Sequence, residues 1–293
     1  MRPSDWRPEG IQSLEEAAER AVRSLNNILV VAGPGAGKTE LLAQRACYLL
    51  KTGLCPEPRR ILAISFKRDA AKNLRDRVNL RCGQEMARRF DSITFDGFSK
   101  RLLDRFINGL PKALRPTKDY QLNFDIEKRM RALLDSLPTT DNALTLADMK
   151  SIGEKAFYRK HFLATSLQIP KPRTMSISLA ASHELWDRLI CTERPSQIDF
   201  PMIGRLADLI LRNNELVLEA LRKTYSFVFL DEFQDTTNIH FDLVRTAFKG
   251  SDAVVTAVGD DKQRIMGWAG ALQGIFADFC KEFEATTYGA EIN

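Results

Sequence analysis

Apolar residues fall along this chain in two rhythms. Short runs of strand-forming residues recur at Ile28-Leu29-Val30-Val31, Ile61-Leu62-Ala63-Ile64, Ile93-Thr94-Phe95 and Phe227-Val228-Phe229-Leu230, and again over residues 253–258. Unbroken runs of this length predict strands covered on both faces. Between the first three lie segments at helical spacing. Leu14, Ala17, Ala18, Ala21, Val22 and Leu25 mark a helix before the first strand, with Glu and Arg on its other face. Residues 41–50 form a second helical run, ended by Gly53 and the Pro56-Glu57-Pro58 stretch. A third opens after Ile64, and a fourth covers residues 98–107. Strands alternating with helices predict an α/β fold with a parallel sheet flanked by helices.

The rhythm breaks at Asn108-Gly109-Leu110-Pro111 and no strand-like run returns until Phe227. The intervening stretch carries helical candidates (Ile126, Met130, Leu133, Leu134, Leu137, then Leu163 and Leu167), divided by Pro138, Pro170 and Pro172. It is expected to be a helical insertion. The expected organisation is residues 1–108 as the first part of a sheet domain, 109–196 as an inserted helical subdomain, and 197–293 as the second part. Residues 203–221 are expected to form one long amphipathic helix leading back to the sheet.

Chemistry concentrates at two strand ends. The first strand runs into Ala32-Gly33-Pro34-Gly35-Ala36-Gly37-Lys38-Thr39-Glu40. This is the spacing of a phosphate-binding loop between a strand and a helix. Glycines let successive N–H groups turn inward, and the helix directs its positive end at the same point. Lys38 supplies a mobile charge for the β/γ-phosphates, and the Thr39 hydroxyl suits Mg²⁺. An ordinary glycine-rich turn would lack this strand-before, helix-after context. The second end is Leu230-Asp231-Glu232. In a nucleoside triphosphatase the first such carboxylate serves the metal, and the second orients and deprotonates the attacking water. Gln263, just beyond the last strand, is suited to sensing a γ-phosphate.

Composition adds limits. The net charge of +5 identifies no partner, but residues 59–105 hold thirteen Lys/Arg against six Asp/Glu, a local excess larger than that of the whole chain. Part of that excess fits a backbone-tracking groove and part an ordinary solvated helix face. Five cysteines without a C-x-x-C pair argue against a disulfide framework and a zinc site. No apolar leader or membrane-length window appears, so a cytoplasmic protein is expected.

Taken in order, the motifs resemble the UvrD/Rep-type superfamily 1 helicases. A-G-P-G-A-G-K-T from Ala32 looks like motif I, and I-S-F-K-R-D-A-A-K-N-L-R-D-R-V from Ile64 looks like motif Ia. I-T-F-D-G-F from Ile93 is similar to the family's T-F-H-S-F segment, L-D-E-F-Q-D-T from Leu230 to motif II, and V-G-D-D-K-Q-R-I-M-G-W from Val258 to motif III. The resemblance implies a RecA-like P-loop motor domain carrying an accessory helical subdomain. It implies ATP and Mg²⁺ as ligands, with residues 32–40 as the nucleotide loop, Thr39 and Asp231 at the metal, and Lys38, Asp231, Glu232 and Gln263 as catalytic residues. It also implies single-stranded DNA, or a single/double-strand junction, held by Phe66, Lys67 and Trp268, with movement 3′ to 5′. Phe95 and Phe98 are expected in the core rather than on DNA.

Several positions depart from the family. Ala18 stands at the offset of the adenine-reading glutamine, with Gln12 the nearest glutamine. Glu40 replaces an arginine, Asp96 the histidine of T-F-H-S-F, Met266 a tyrosine and Ala269 an arginine. The sequence stops at T-Y-G-A-E-I-N, about where motif IV would begin. One expectation is therefore the N-terminal motor half of an ATP-dependent helicase, hydrolysing ATP very slowly and not unwinding DNA without a second motor half. The other is a non-catalytic ATP- and DNA-binding subunit of a larger complex, such as a nuclease–helicase defence system.

Overall fold

A computed structural model describes residues 1–33, 35–137, 153–163, 167, 176–260 and 274–290. The chain forms two compact units, Met1–Phe98 with Leu216–Asn293, and Ser99–Glu215.

The first unit is built on a six-stranded sheet: β1 (Ile28–Ala32), β2 (Arg60–Ser65), β3 (Phe90–Thr94), β6 (Tyr225–Leu230), β7 (Val254–Gly259) and β8 (Thr286–Ala290). The two remaining strands, β4 (Gln121–Leu122) and β5 (Gln197–Ile198), form a separate short parallel pair in the second unit. The order across the large sheet is β3-β2-β6-β7-β1-β8, and every neighbouring pair is parallel. Parallel strands need crossovers, and here helices provide them. Helix α1 (Glu16–Arg23) precedes β1, α2 (Lys38–Lys51) follows it, and α3 (Arg68–Cys82) follows β2. The apolar runs read from the sequence are these strands. Ile28, Val30, Ile61, Ala63, Phe229 and Val258 are buried in one core with Leu41, Ala46 and Leu49 of α2.

A buried cation helps fix this core. Arg45 of α2 donates through Nε to Thr256 Oγ1 on β7 (2.9 Å) and through Nη1 to Ala21 O (2.6 Å) and Val22 O (3.0 Å), carbonyls at the end of α1. Burial lowers its pKa to about 9.

Three expectations need correction. β3 begins at Phe90 and ends at Thr94, so Phe95 opens the next helix, α4 (Gln84–Ala87) being a short turn before the strand and α5 (Phe95–Phe106) the helix itself. Thr94 Oγ1 accepts the Gly97 N–H at 3.1 Å, a helix-opening bond that apolar spacing does not reveal. The single helix over 203–221 is two, Phe200–Asn213 and Glu215–Thr224, because Asn214 is extended and its amide donates to Gly109 O at 3.1 Å. Finally, Cys47 and Cys82 form a disulfide, their Cα atoms 5.2 Å apart. Packing of α2 on α3 brings them together, which neither parity nor local spacing can show.

The second unit is mainly helical among the described residues. Trp186 Nε1 donates to Phe162 O (3.1 Å), Arg205 Nε to Leu163 O (2.7 Å), and the Tyr158 hydroxyl to the buried Asp199 carboxylate. No described helix is long and apolar enough to cross a membrane.

Candidate nucleotide and DNA site

Ala32 ends β1, and α2 begins at Lys38. Between them Gly35 (φ 75°) and Gly37 (φ 68°) lie in the left-handed region, where a side chain would be strained. No side chain caps α2 at Gly37. Its first N–H groups are thus left to the loop, the arrangement that favours an anion. Gly33 and Gly35 are exposed and Ala36 is buried, while Lys38, Thr39 and Glu40 are half-buried in the first turn. Pro34 lies outside the described residues.

β6 delivers the carboxylates to the same place. Lys38 Nζ is 3.3 Å from Glu232 Oε2, although β7 separates β1 from β6 in the sheet. Glu232 adopts φ 52°, a left-handed conformation for a residue with a side chain. Its position is over-determined: its N–H donates to Asp231 Oδ1 (3.1 Å), and Gln234 Nε2 donates to its Oε2 (2.8 Å). Gln234 Oε1 in turn accepts the Asp260 N–H at the end of β7 (3.0 Å). Gly259 leaves room for this link, since a Cβ there would stand 2.7 Å from Gln234 Oε1. Asp231 is buried beside it. Desolvation, joined by the negative charge of Glu232, raises its pKa to about 6 against the opposing pull of Ser65, the Glu232 N–H and Lys38.

Mg²⁺ with a triphosphate suits this donor set. A neutral hydroxyl (Thr39), a carboxylate under electrostatic pressure (Asp231), an ammonium (Lys38) and uncapped helix N–H groups match a cation bound to phosphate oxygens. No cluster of three or more acidic, His or Cys side chains that could hold a metal by itself occurs among the described residues. Such a site takes most of its metal ligands from phosphate and water.

Glu40 is occupied elsewhere. Its carboxylate accepts from Arg81 Nε (2.9 Å), Arg77 Nη1 (2.8 Å) and Gln44 Nε2 (2.7 Å). Burial opposes its charge, but these bonds win and hold its pKa below the ordinary value. Gln44 also grips the backbone of Glu9 on both sides, accepting its N–H and donating to its carbonyl, each at 2.8 Å. Part of the basic excess is thus spent internally: Arg77 and Arg81 on Glu40, Arg60 on Asp91 (2.6 Å).

Of the residues expected at DNA, Phe66 follows β2, half-buried, and Lys67 is exposed at the start of α3 with Arg68 and Lys72. Phe95 and Phe98 are buried. The Phe66 ring meets His240 edge-on (centroids 5.7 Å), and His240 stacks on Phe95 (4.4 Å). His240 Nε2 is 4.0 Å from Asp96 Oδ1, so an acid stands at the T-F-H-S-F histidine position and a histidine comes from motif II's side. Gln263 and Trp268 lie outside the described residues. Ser65, Gln234 and His240 had no role in the sequence reading. Gln234 and Ser65 carried a signal, lying inside L-D-E-F-Q-D-T and I-S-F-K respectively, whereas His240 carried none.

The parallel sheet, the glycine loop entering α2 and the acidic end of β6 define a RecA-like P-loop α/β domain. Residues 14–284 match the UvrD/REP helicase N-terminal domain, and the chain belongs to this family. It is 29% identical to DNA helicase II of Escherichia coli (strain K12) over 292 residues, covering 93% of this chain and 37% of that protein. It is 27% identical over 266 residues to the ATP-dependent DNA helicase Rep of Buchnera aphidicola subsp. Acyrthosiphon pisum (88% and 39%). It is also 25% identical over 268 residues to a probable DNA helicase II homolog of Mycoplasma capricolum (87% and 35%). The chain therefore spans little more than a third of these relatives, corresponding to their N-terminal part.

Proposed function

We propose that these residues are the N-terminal motor lobe of an ATP-dependent DNA helicase or translocase, working 3′ to 5′. In this reading the loop from Ala32 to Glu40 receives the triphosphate, with Lys38 on the β/γ-phosphates. Mg²⁺, held through Thr39 and Asp231, would neutralise charge on the phosphate oxygens. Glu232 takes the proton of the attacking water as its oxygen bonds to the γ-phosphorus and the bond to the β-bridging oxygen breaks, giving ADP and phosphate. Gln234 holds Glu232 and joins it to the end of β7, the strand leading towards Gln263. Single-stranded DNA stacks a base on Phe66, with Lys67 near the backbone and Trp268 as a further stacking surface. Such stacking is worth roughly 1–3 kcal/mol per base and is indifferent to sequence.

The observation carrying the reading is the Lys38–Glu232 contact beside buried Asp231, which brings the lysine at the end of the loop to the two carboxylates. Turnover needs a second lobe to close over the nucleotide, so the 293 residues by themselves are expected to bind ATP and DNA with little hydrolysis. Calorimetry with Mg-ATP on the chain and on Lys38→Ala tests this. Binding that survives the substitution at full strength would remove the loop assignment. Fast DNA-stimulated hydrolysis by the isolated chain would remove the need for a partner lobe. Binding of both ligands without turnover, even with a second lobe supplied, would favour a non-catalytic subunit.

A further inference from the structure

The end of β2 touches both halves of the candidate site through adjacent residues. Ser65 is fully buried, and its Oγ donates to Asp231 Oδ2 at 3.3 Å. The backbone beside it is also tied there, the Asp231 N–H donating to Ile64 O at 2.9 Å. Phe66 comes next and presents its half-buried ring to His240. His240 belongs to the helix Asn238–Phe248, which follows the carboxylates after only the short turn Phe233–Asp235. Its N–H is held by the helix cap Thr237 (3.4 Å), and its ring by Phe95. Phe66 is therefore joined to the acidic end of β6 twice, along the chain through Ser65 and across space through His240.

We propose that Ser65 is a positioning residue that couples the nucleotide site to the DNA-stacking ring. The inference rests on the reading above, in which Asp231 faces the metal–triphosphate and Phe66 faces single-stranded DNA. A ligand that draws on the Asp231 carboxylate changes how strongly that oxygen accepts from Ser65. A buried hydroxyl keeps its hydrogen bond, so Ser65 follows the carboxylate or exchanges its partner. Phe66, one peptide away, moves with it. Its other support, His240, rides on the same acidic segment and does not hold the ring back. Linkage requires the effect to be mutual: if nucleotide alters DNA affinity by a given factor, DNA alters nucleotide affinity by the same factor.

The test measures the dissociation constant of a fluorescent oligo(dT) by anisotropy, with and without saturating Mg²⁺ and a non-hydrolysable ATP analogue. The ratio of the two constants is the readout, because a change in DNA affinity alone cancels from it. The wild-type chain is expected to show a ratio of about fivefold or more in either direction. Ser65→Ala is expected to bring it below about twofold. Ser65→Thr, which restores the hydroxyl, is expected to recover the wild-type ratio, and a purely structural role would not follow the hydroxyl in this way. Should Ser65→Ala fail to fold, Ser65→Cys, close in shape and a weak donor, replaces it. A wild-type ratio retained by the substituted chain overturns the proposal. So does a wild-type ratio of one with both ligands bound, an outcome that leaves the proposed function standing. If the wild type binds neither probe, the proposed function itself falls and takes this inference with it.

Discussion

Lys38 Nζ sits 3.3 Å from Glu232 Oε2, so the loop cation and the carboxylate proposed as base neutralise one another. Their side chains are 11% and 35% exposed, so the pair is only partly screened by water. A triphosphate that takes Lys38 must first break this contact. Glu232→Gln is therefore expected to bind Mg-ATP more tightly than the wild type, by about fivefold for a pair worth about 1 kcal/mol. Any hydrolysis would be lost at the same time. Titration with a fluorescent ATP analogue checks this, and weaker binding by the variant would mean that Glu232 helps to hold the nucleotide.

Asp231 carries the opposite kind of tension. Its pKa is raised to about 6 from an ordinary 3.8, by burial and then by Glu232. Below about pH 4 it is protonated whether folded or unfolded. As pH rises through 6 the folded chain must accept a buried charge that the unfolded chain carries freely, and stability is lost. Asp231→Asn is expected to stabilise the chain by about 3 kcal/mol at pH 8 and about half that at pH 5. Urea midpoints at the two pH values measure the difference. A variant less stable than wild type at pH 8 would show that Ser65, Lys38 and the Glu232 N–H compensate the buried charge fully.

What was legible in the sequence follows from how local each signal is. The strands at Ile28, Ile61 and Phe227 announce themselves because a sheet covered on both faces needs unbroken apolar runs. The loop before Lys38 is readable because its glycines and its cation sit within a few residues of each other. The meeting of Lys38 with Glu232 is a different matter, since it depends on strand order, with β7 placed between β1 and β6. Ser65 lay within the I-S-F-K segment, but its bond to Asp231, 166 residues away, could not be read there, and His240 was invisible because a histidine in a helix is ordinary on its own. Asn214 was missed because apolar residues keep their spacing across it while the backbone does not. The roles expected of Gln263 and Trp268 fall on residues outside the described structure.

The disulfide offers a direct chemical count. Cys47 and Cys82 are bonded to each other, and Cys55, Cys191 and Cys280 lie outside that disulfide. Alkylation of the unfolded, unreduced chain is expected to label three cysteines, and prior reduction to raise that to all five. Loop closure between the two helices is expected to contribute about 3–4 kcal/mol, so reduction should lower the thermal midpoint. Five labelled cysteines without reductant would mean that the pair is two packed thiols in the protein as isolated.

His240 gives an acid-side signature that runs against that of Asp231. Burial pulls its pKa down to about 4 from 6.5, and its Nδ1 is a buried atom with no hydrogen-bond partner among the described residues. Here the unfolded chain takes up the proton first, so stability is present above pH 6.5 and drains away as pH falls towards 4. Between those limits the two groups act in opposite directions and partly hide each other in the wild-type profile. His240→Phe keeps a flat ring between Phe95 and Phe66 while removing both the titration and the unsatisfied nitrogen. It is expected to gain about 2 kcal/mol over wild type on going from pH 7 to pH 5, read as the change in the difference of urea midpoints. An unchanged difference would mean that the imidazole titrates near its ordinary value, with Asp96 close enough at 4.0 Å to stabilise the charged form against burial.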